Sequence, residues 1–178
     1  MALTSADLRR LFSLLSEELG KSDTVAELFL VGGAVMCLAY DARTSTQDVD
    51  AVFRPSSQVR AAAKRVASRS GVPADWLNDG VKGFMSEAGA FATFLELDHL
   101  RVMVAQPEYL LAMKCLALRI GAEFHDEDDV RYLLHHLDLR SYDKALEVIR
   151  KFYPLERFPR KTLYALAELL PGDKKRKS

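Results

Sequence analysis

Hydrophobic positions follow two regimes along the chain. Up to residue 106, short apolar runs alternate with amphipathic stretches; beyond it only helical spacing recurs. Leu8, Leu11, Phe12, Leu15 and Leu19 lie three and four residues apart, which predicts a helix over 4–19. Thr4 followed by Asp7 reads as a capping box with Asp in the acidic place, and Gly20 ends that helix. Leu28-Phe29-Leu30-Val31 is a continuous apolar run of the kind found in buried strands, closed by Gly32-Gly33. A short helix is expected over 34–40, a polar loop over 41–47 and a second strand over 48–53. Pro55-Ser56-Ser57 opens another helix, with Val59, Ala62, Ala63 and Val66 on one face. The stretch 70–86, rich in Gly, Pro, Asn and Asp, reads mostly as loop. Strands follow over 91–97 and 100–105, joined at Asp98-His99. Pro107 marks the first turn of a helix running to 120. Further helices are expected over 126–137, 141–152 and 161–170, the last ended by Pro171-Gly172.

The pattern predicts an α+β fold: a core over 1–106 and a helical part over 107–172 packed on it, with a disordered basic tail over 173–178. No apolar run approaches the roughly 20 residues that span a bilayer, and no basic start precedes an apolar stretch. No signal peptide and no membrane partner are therefore expected, and a cytoplasmic location follows by default. The 25 basic and 25 acidic residues cancel, which argues against a broad non-specific nucleic-acid binder. The cluster Lys174-Lys175-Arg176-Lys177 reads as a solvated end. Cys37 and Cys115, isolated within apolar segments, read as buried thiols rather than a metal site or a disulfide.

Candidate chemistry begins at Asp48 and Asp50. Side chains two apart on a strand share a face, so the two carboxylates project together and repel unless a cation offsets them. Mg²⁺, with Mn²⁺ as the alternative, takes one or two carboxylates plus substrate phosphates. The competing reading of the pair is the wet face of an edge strand. Gly32-Gly33, after a strand and before a helix, lets backbone N–H groups approach a phosphate, although a tight structural turn has the same signature. Arg43 and the hydroxyls of Ser45 and Thr46 supply further phosphate partners, or form an ordinary polar loop. Lys114 has Leu110, Leu111, Ala117 and Leu118 as its helical neighbours. An ammonium on that apolar face must snorkel, line a cleft or pair with a carboxylate such as Asp126 or Asp129. The acidic run after His125 fits a helix N-terminus, with Asp126 as its cap; His135 and His136 read as structural or surface residues.

Taken together, Leu30-Val31-Gly32-Gly33-Ala34-Val35 and Arg43-x-x-Thr46-x-Asp48-x-Asp50 resemble the nucleotidyltransferase superfamily of the DNA polymerase beta type. Pro107 to Lys114, then Ala117-x-Arg119 and Asp126-x-x-Asp129, look like its abortive-infection and toxin–antitoxin branch and related small bacterial nucleotidyltransferase-like proteins. The resemblance covers residues 3–170. It implies a nucleotidyltransferase-like small mixed sheet flanked by helices, with metal binding at Asp48 and Asp50. It also implies nucleotide contact at Lys114 and Arg119, and a functional aspartate at Asp126 or Asp129. A third carboxylate is usual in that superfamily; Glu96 and Asp98 are the two in the corresponding region, and neither carries a supporting pattern. The implied activity is Mg²⁺-dependent transfer of an NMP from an NTP to an acceptor hydroxyl, the NTP lying between the Gly32-Gly33 turn and the Lys114 helix. The 3′ end of tRNA or another RNA is the implied acceptor, and a cognate antitoxin protein the implied partner. The alternatives are an inactive binding protein of the same fold acting through a partner protein, and an antibiotic-modifying nucleotidyltransferase.

Overall fold

The computed structural model describes residues 1–118 and 126–170. Arg119 and His125, together with the Pro171-Gly172 stop and the basic tail, lie outside the described residues. The chain divides into two compact units, the first comprising Met1–Met85 and Phe91–Ala105, the second Ser86–Ala90 and the described residues from Gln106 onward.

The first unit is built on a five-stranded mixed sheet. Its strands are β2 (Ala26–Leu30), β4 (Val49–Arg54), β5 (Leu77–Asn78), β6 (Phe91–Leu97) and β7 (Leu100–Ala105), in the order β5-β4-β2-β7-β6. Two pairs, β2 with β7 and β4 with β5, are parallel; β2 with β4 and β6 with β7 are antiparallel. One face is apolar throughout: Leu28, Leu30, Val49, Ala51, Phe53, Val102 and Val104 are buried. Helices α1 (Ser5–Gly20) and α3 (Ser56–Ser70) pack on each other and on β7 and β4. Their apolar stripes, Leu8, Leu11, Phe12, Leu15 and Leu19 on α1 and Val59, Ala62, Ala63 and Val66 on α3, are all buried. Full burial of each large aliphatic or aromatic side chain contributes roughly 1.5–3 kcal/mol. The capping box is present: Thr4 Oγ1 accepts from Asp7 N at 3.2 Å, and Thr4 N donates to Asp7 Oδ2 at 3.0 Å.

Two short pairings depart from the sequence expectation. The segment expected as loop over 41–47 contains β3 (Ser45–Thr46), paired antiparallel with β1 (Leu3–Thr4) in a separate two-stranded sheet. The stretch expected mostly as loop over 70–86 contains β5 and a 3₁₀ turn, Gly80–Phe84. The helix expected over 34–40 is α2, Gly32–Leu38, and so begins at the glycine turn itself.

The second unit contains α4 (Pro107–Leu116), α5 (Asp126–His136), α6 (Tyr142–Ile149) and α7 (Arg160–Leu169). Every residue of α4 from Tyr109 to Cys115 is buried, which marks α4 as an interior helix. Tyr109 packs against Phe152 and Tyr153, with ring centroids 5.1 and 6.4 Å away, and its hydroxyl accepts from Ser86 N at 2.8 Å. Ser141 caps α6 through Lys144 N. Asp126 is the first residue of α5 rather than its cap. Both cysteines are buried and free; burial pushes the Cys115 thiol up to about 12 and raises Cys37 as well. Among the described residues no helix is long and apolar enough to cross a membrane.

Candidate active site

The antiparallel register of β2 and β4 brings the glycine turn and the aspartates together. Leu30 pairs with Ala51, and Val31 N donates to Asp50 O at 3.0 Å. Asp48 immediately precedes β4 and Asp50 is its second residue. Val49 and Ala51 face the buried side, so strand alternation turns Asp48 and Asp50 to the opposite, half-buried side.

Both glycines are required by what lies beside them. Gly32 has φ +67°, a left-handed conformation disfavoured for residues with a Cβ, and an added Cβ would lie 3.1 Å from Asp50 Oδ2. At Gly33 an added Cβ would stand 2.9 Å from Thr46 Oγ1 and 3.1 Å from Arg43 Nη1. Strand β3 thus delivers Thr46 and the loop before it delivers Arg43 to the same turn. Thr46 is buried and donates from Oγ1 to Asp48 O at 3.1 Å. Ser45, one residue earlier on β3, faces the other side by alternation. Val31, the residue ahead of α2, makes no side-chain cap, leaving the first N–H groups of the turn to be satisfied from outside the helix.

Asp48 and Asp50 differ in their surroundings. Asn78 Nδ2 donates to Asp48 Oδ2 at 3.1 Å from the neighbouring strand, where Asn78 is in register with Asp50. Asp50 has neither an ion pair nor a side-chain hydrogen bond among the described residues. Asn78 has no signal in the sequence beyond its place in a turn-rich stretch. What holds it there is Trp76, fully buried, with Nε1 donating to Ala63 O at 3.1 Å and its carbonyl accepting from Val49 N at 2.7 Å.

Glu96 and Asp98 are at the wrong end of the sheet to serve as a third carboxylate. Glu96 is in register with Arg101, Arg101 with Glu27, and Glu27 with Arg54. Glu27 lies four residues from Val31, a separation of about 13 Å along an extended strand. Glu96 is bonded to Arg101 at 2.9 Å, and Arg54 to Glu27 at 3.0 Å, beside a groove of about 650 Å³ that Asp98 also lines. On the face that carries Asp50, β7 presents Met103 and Ala105. Among the described residues no cluster of three or more His, Cys, Asp or Glu side chains could hold a metal ion. Asp48 and Asp50 are the carboxylates beside this turn that could hold a hard divalent cation, with water and substrate oxygens completing its shell.

In the second unit, Lys114 Nζ lies 2.7 Å from Asp129 Oδ2 and 3.3 Å from Asp126 Oδ1. Its side chain is 10% exposed and those of the aspartates 3% and 6%. Asp126 and Asp129 are three apart on α5 and so share a face, which is how one ammonium meets both.

Comparison of the chain with protein-family models, with curated proteins and with solved structures finds no match.

Proposed function

We propose that this chain is a divalent-cation-dependent nucleotidyltransferase whose triphosphate site is formed by the Gly32-Gly33 turn, Arg43, Thr46 and the Asp48–Asp50 pair, in a nucleotidyltransferase-like fold. The observation that carries this reading is that one glycine turn has Asp50 beside Gly32 and both Thr46 and Arg43 beside Gly33, each so close that an added Cβ would lie 2.9–3.1 Å from it. A structural turn needs a glycine; it does not need a carboxylate and a guanidinium packed against two of them.

Each group has a task there. Gly32 and Gly33 let backbone N–H groups approach phosphate oxygens with no Cβ in the way. Arg43 offers its guanidinium to the same anion. Asp48 and Asp50 hold the cation, which when bound supplies positive charge that offsets the triphosphate. An acceptor hydroxyl oxygen bonds to the α-phosphorus, the bond from that phosphorus to the bridging oxygen of the β-phosphate breaks, pyrophosphate leaves and the hydroxyl proton passes to solvent. Such transfers need positioning and charge stabilisation more than covalent help from the protein. RNA, and the 3′ end of tRNA first among RNAs, is the acceptor to test, and a toxin-like role with a cognate antitoxin is the setting we infer from the motif resemblance.

A second reading is favoured by Met103 and Ala105, which stand on β7 where a third carboxylate would help to remove the acceptor proton. In this reading the chain binds a partner protein and transfers nothing. Thermal denaturation separates the two. A ligand that binds only the folded state stabilises it by mass action, by about 2.7 kcal/mol at a hundredfold excess over Kd. Stabilisation by millimolar NTP that requires Mg²⁺ and is lost in Asp50→Asn supports the transferase; no shift with any NTP favours the binding protein.

A further inference from the structure

The segment after Trp76 contributes a side chain to the candidate site, and its geometry is specific. The Asn78 side chain is held at both ends of its amide. Oδ1 accepts from Gly80 N at 3.2 Å and Nδ2 donates to Asp48 Oδ2 at 3.1 Å. The first bond fixes which end is oxygen, because a backbone N–H can only donate. The amino group is thereby turned to Asp48, and an amino group is of no use to a cation. Its effect falls on the carboxylate: Asp48 Oδ2 accepts from the amide, and the bond restrains the Asp48 side chain from the neighbouring strand.

The backbone around it is equally constrained. Leu77 and Asn78 pair with Val49 and Asp50, the residues that flank and include the second aspartate. Trp76 anchors the segment, with its ring 6.3 Å from that of Phe12 and its carbonyl on Val49 N. We propose that Asn78 is a positioning residue that orients the Asp48 carboxylate for divalent-cation binding, an assignment that rests on reading the Asp48–Asp50 pair as a cation site. Partners that orient a ligand in this way typically change metal affinity by roughly 10- to 100-fold when removed.

The test is binding rather than activity. The full chain, stripped of metal with a chelator, is titrated with Mn²⁺ and the free ion is followed by its electron paramagnetic resonance signal. Asn78→Ala is compared with Asp79→Asn, which removes the neighbouring ion pair to Arg60 (2.6 Å) without touching Asp48. The single tryptophan, Trp76, reports through its emission whether the segment is still in place. The expected result is Mn²⁺ binding by wild type, a Kd raised about tenfold or more in Asn78→Ala, unchanged Trp76 emission, and affinity within about twofold of wild type in Asp79→Asn. If Asn78→Ala binds Mn²⁺ as tightly as wild type, or if Asp79→Asn weakens binding equally, the assignment to Asn78 is overturned while the cation site stands. If wild type binds no Mn²⁺ at millimolar concentration, the cation site itself falls and the assignment falls with it.

Discussion

Asp126 and Asp129 share one helix face, nearly buried, with the Lys114 ammonium at 3.3 and 2.7 Å. Asp48 and Asp50 share one strand face, half-buried, with an amide on the first and no charged partner for the second among the described residues. The spacing rules of helix and strand put two carboxylates on one face in each case, and the surroundings then differ. In the first, desolvation is offset by an ammonium inside the second unit. In the second, Asp50 lies half-buried beside Gly32 with no ion pair or side-chain hydrogen bond among the described residues.

The largest effect should come from breaking the compensated group. Lys114→Met leaves two buried carboxylates without their ammonium and should cost about 3–5 kcal/mol, read by urea or thermal denaturation. Wild-type stability in this variant would mean that Lys114 is held for a reason other than the fold.

Next is an ion cluster that serves as a purely structural reference. Glu18, 4% exposed at its side chain, meets Lys21 at 2.7 Å, Arg65 at 2.6 Å and Arg69 at 3.1 Å. Hydrogen bonds from Lys21 and then Arg65 hold its carboxyl at about 2, below the ordinary 4.5. A carboxyl whose folded value is depressed stabilises fully above the unfolded value, and that stability drains as pH falls towards the folded one. Wild type should therefore lose roughly 2–3 kcal/mol from this group between about pH 4.5 and 2. Glu18→Gln should be less stable at pH 7 and show a shallower acid limb in a melting series against pH.

A smaller effect is expected at the glycine turn. Gly33→Ala brings a methyl to 2.9 Å from Thr46 Oγ1 and should cost about 1–3 kcal/mol by overpacking, while weakening NTP-dependent stabilisation. Smallest is Asp50→Asn in the metal-free chain. Relief of repulsion should leave stability within about 0.5 kcal/mol of wild type, or slightly above it. A loss comparable to that of Lys114→Met would show that Asp50 is structural and erase the contrast between the two groups.

Much of this was legible in the sequence. The bounds of β6 and β7 follow from the apolar runs on either side of Asp98-His99, and the α1 cap from Thr4 and Asp7. Strands β1, β3 and β5 are two residues long, too short for periodicity to register, and exist only because a distant segment pairs with them. Asn78 was hidden for that reason: its role depends on its register with Asp50. For Lys114 the apolar helical neighbours left snorkelling, a cleft or a pair with Asp126 or Asp129 open; the structure shows it paired with both. For Glu96 and Asp98 the order along the chain was correct but uninformative, because the antiparallel return of β6 and β7 carries them to the end of the sheet away from Asp50.

The most direct test of the central claim is label transfer. The full chain is incubated with Mg²⁺, each of the four α-labelled NTPs in turn and total bacterial RNA, beside Asp50→Asn. Label is expected to enter RNA with wild type, with a preference for one base, at a rate lower by on the order of 10²–10³-fold or more in Asp50→Asn. Equal labelling by the two proteins, or none in RNA, in the protein itself or in added small-molecule hydroxyl acceptors, would contradict it.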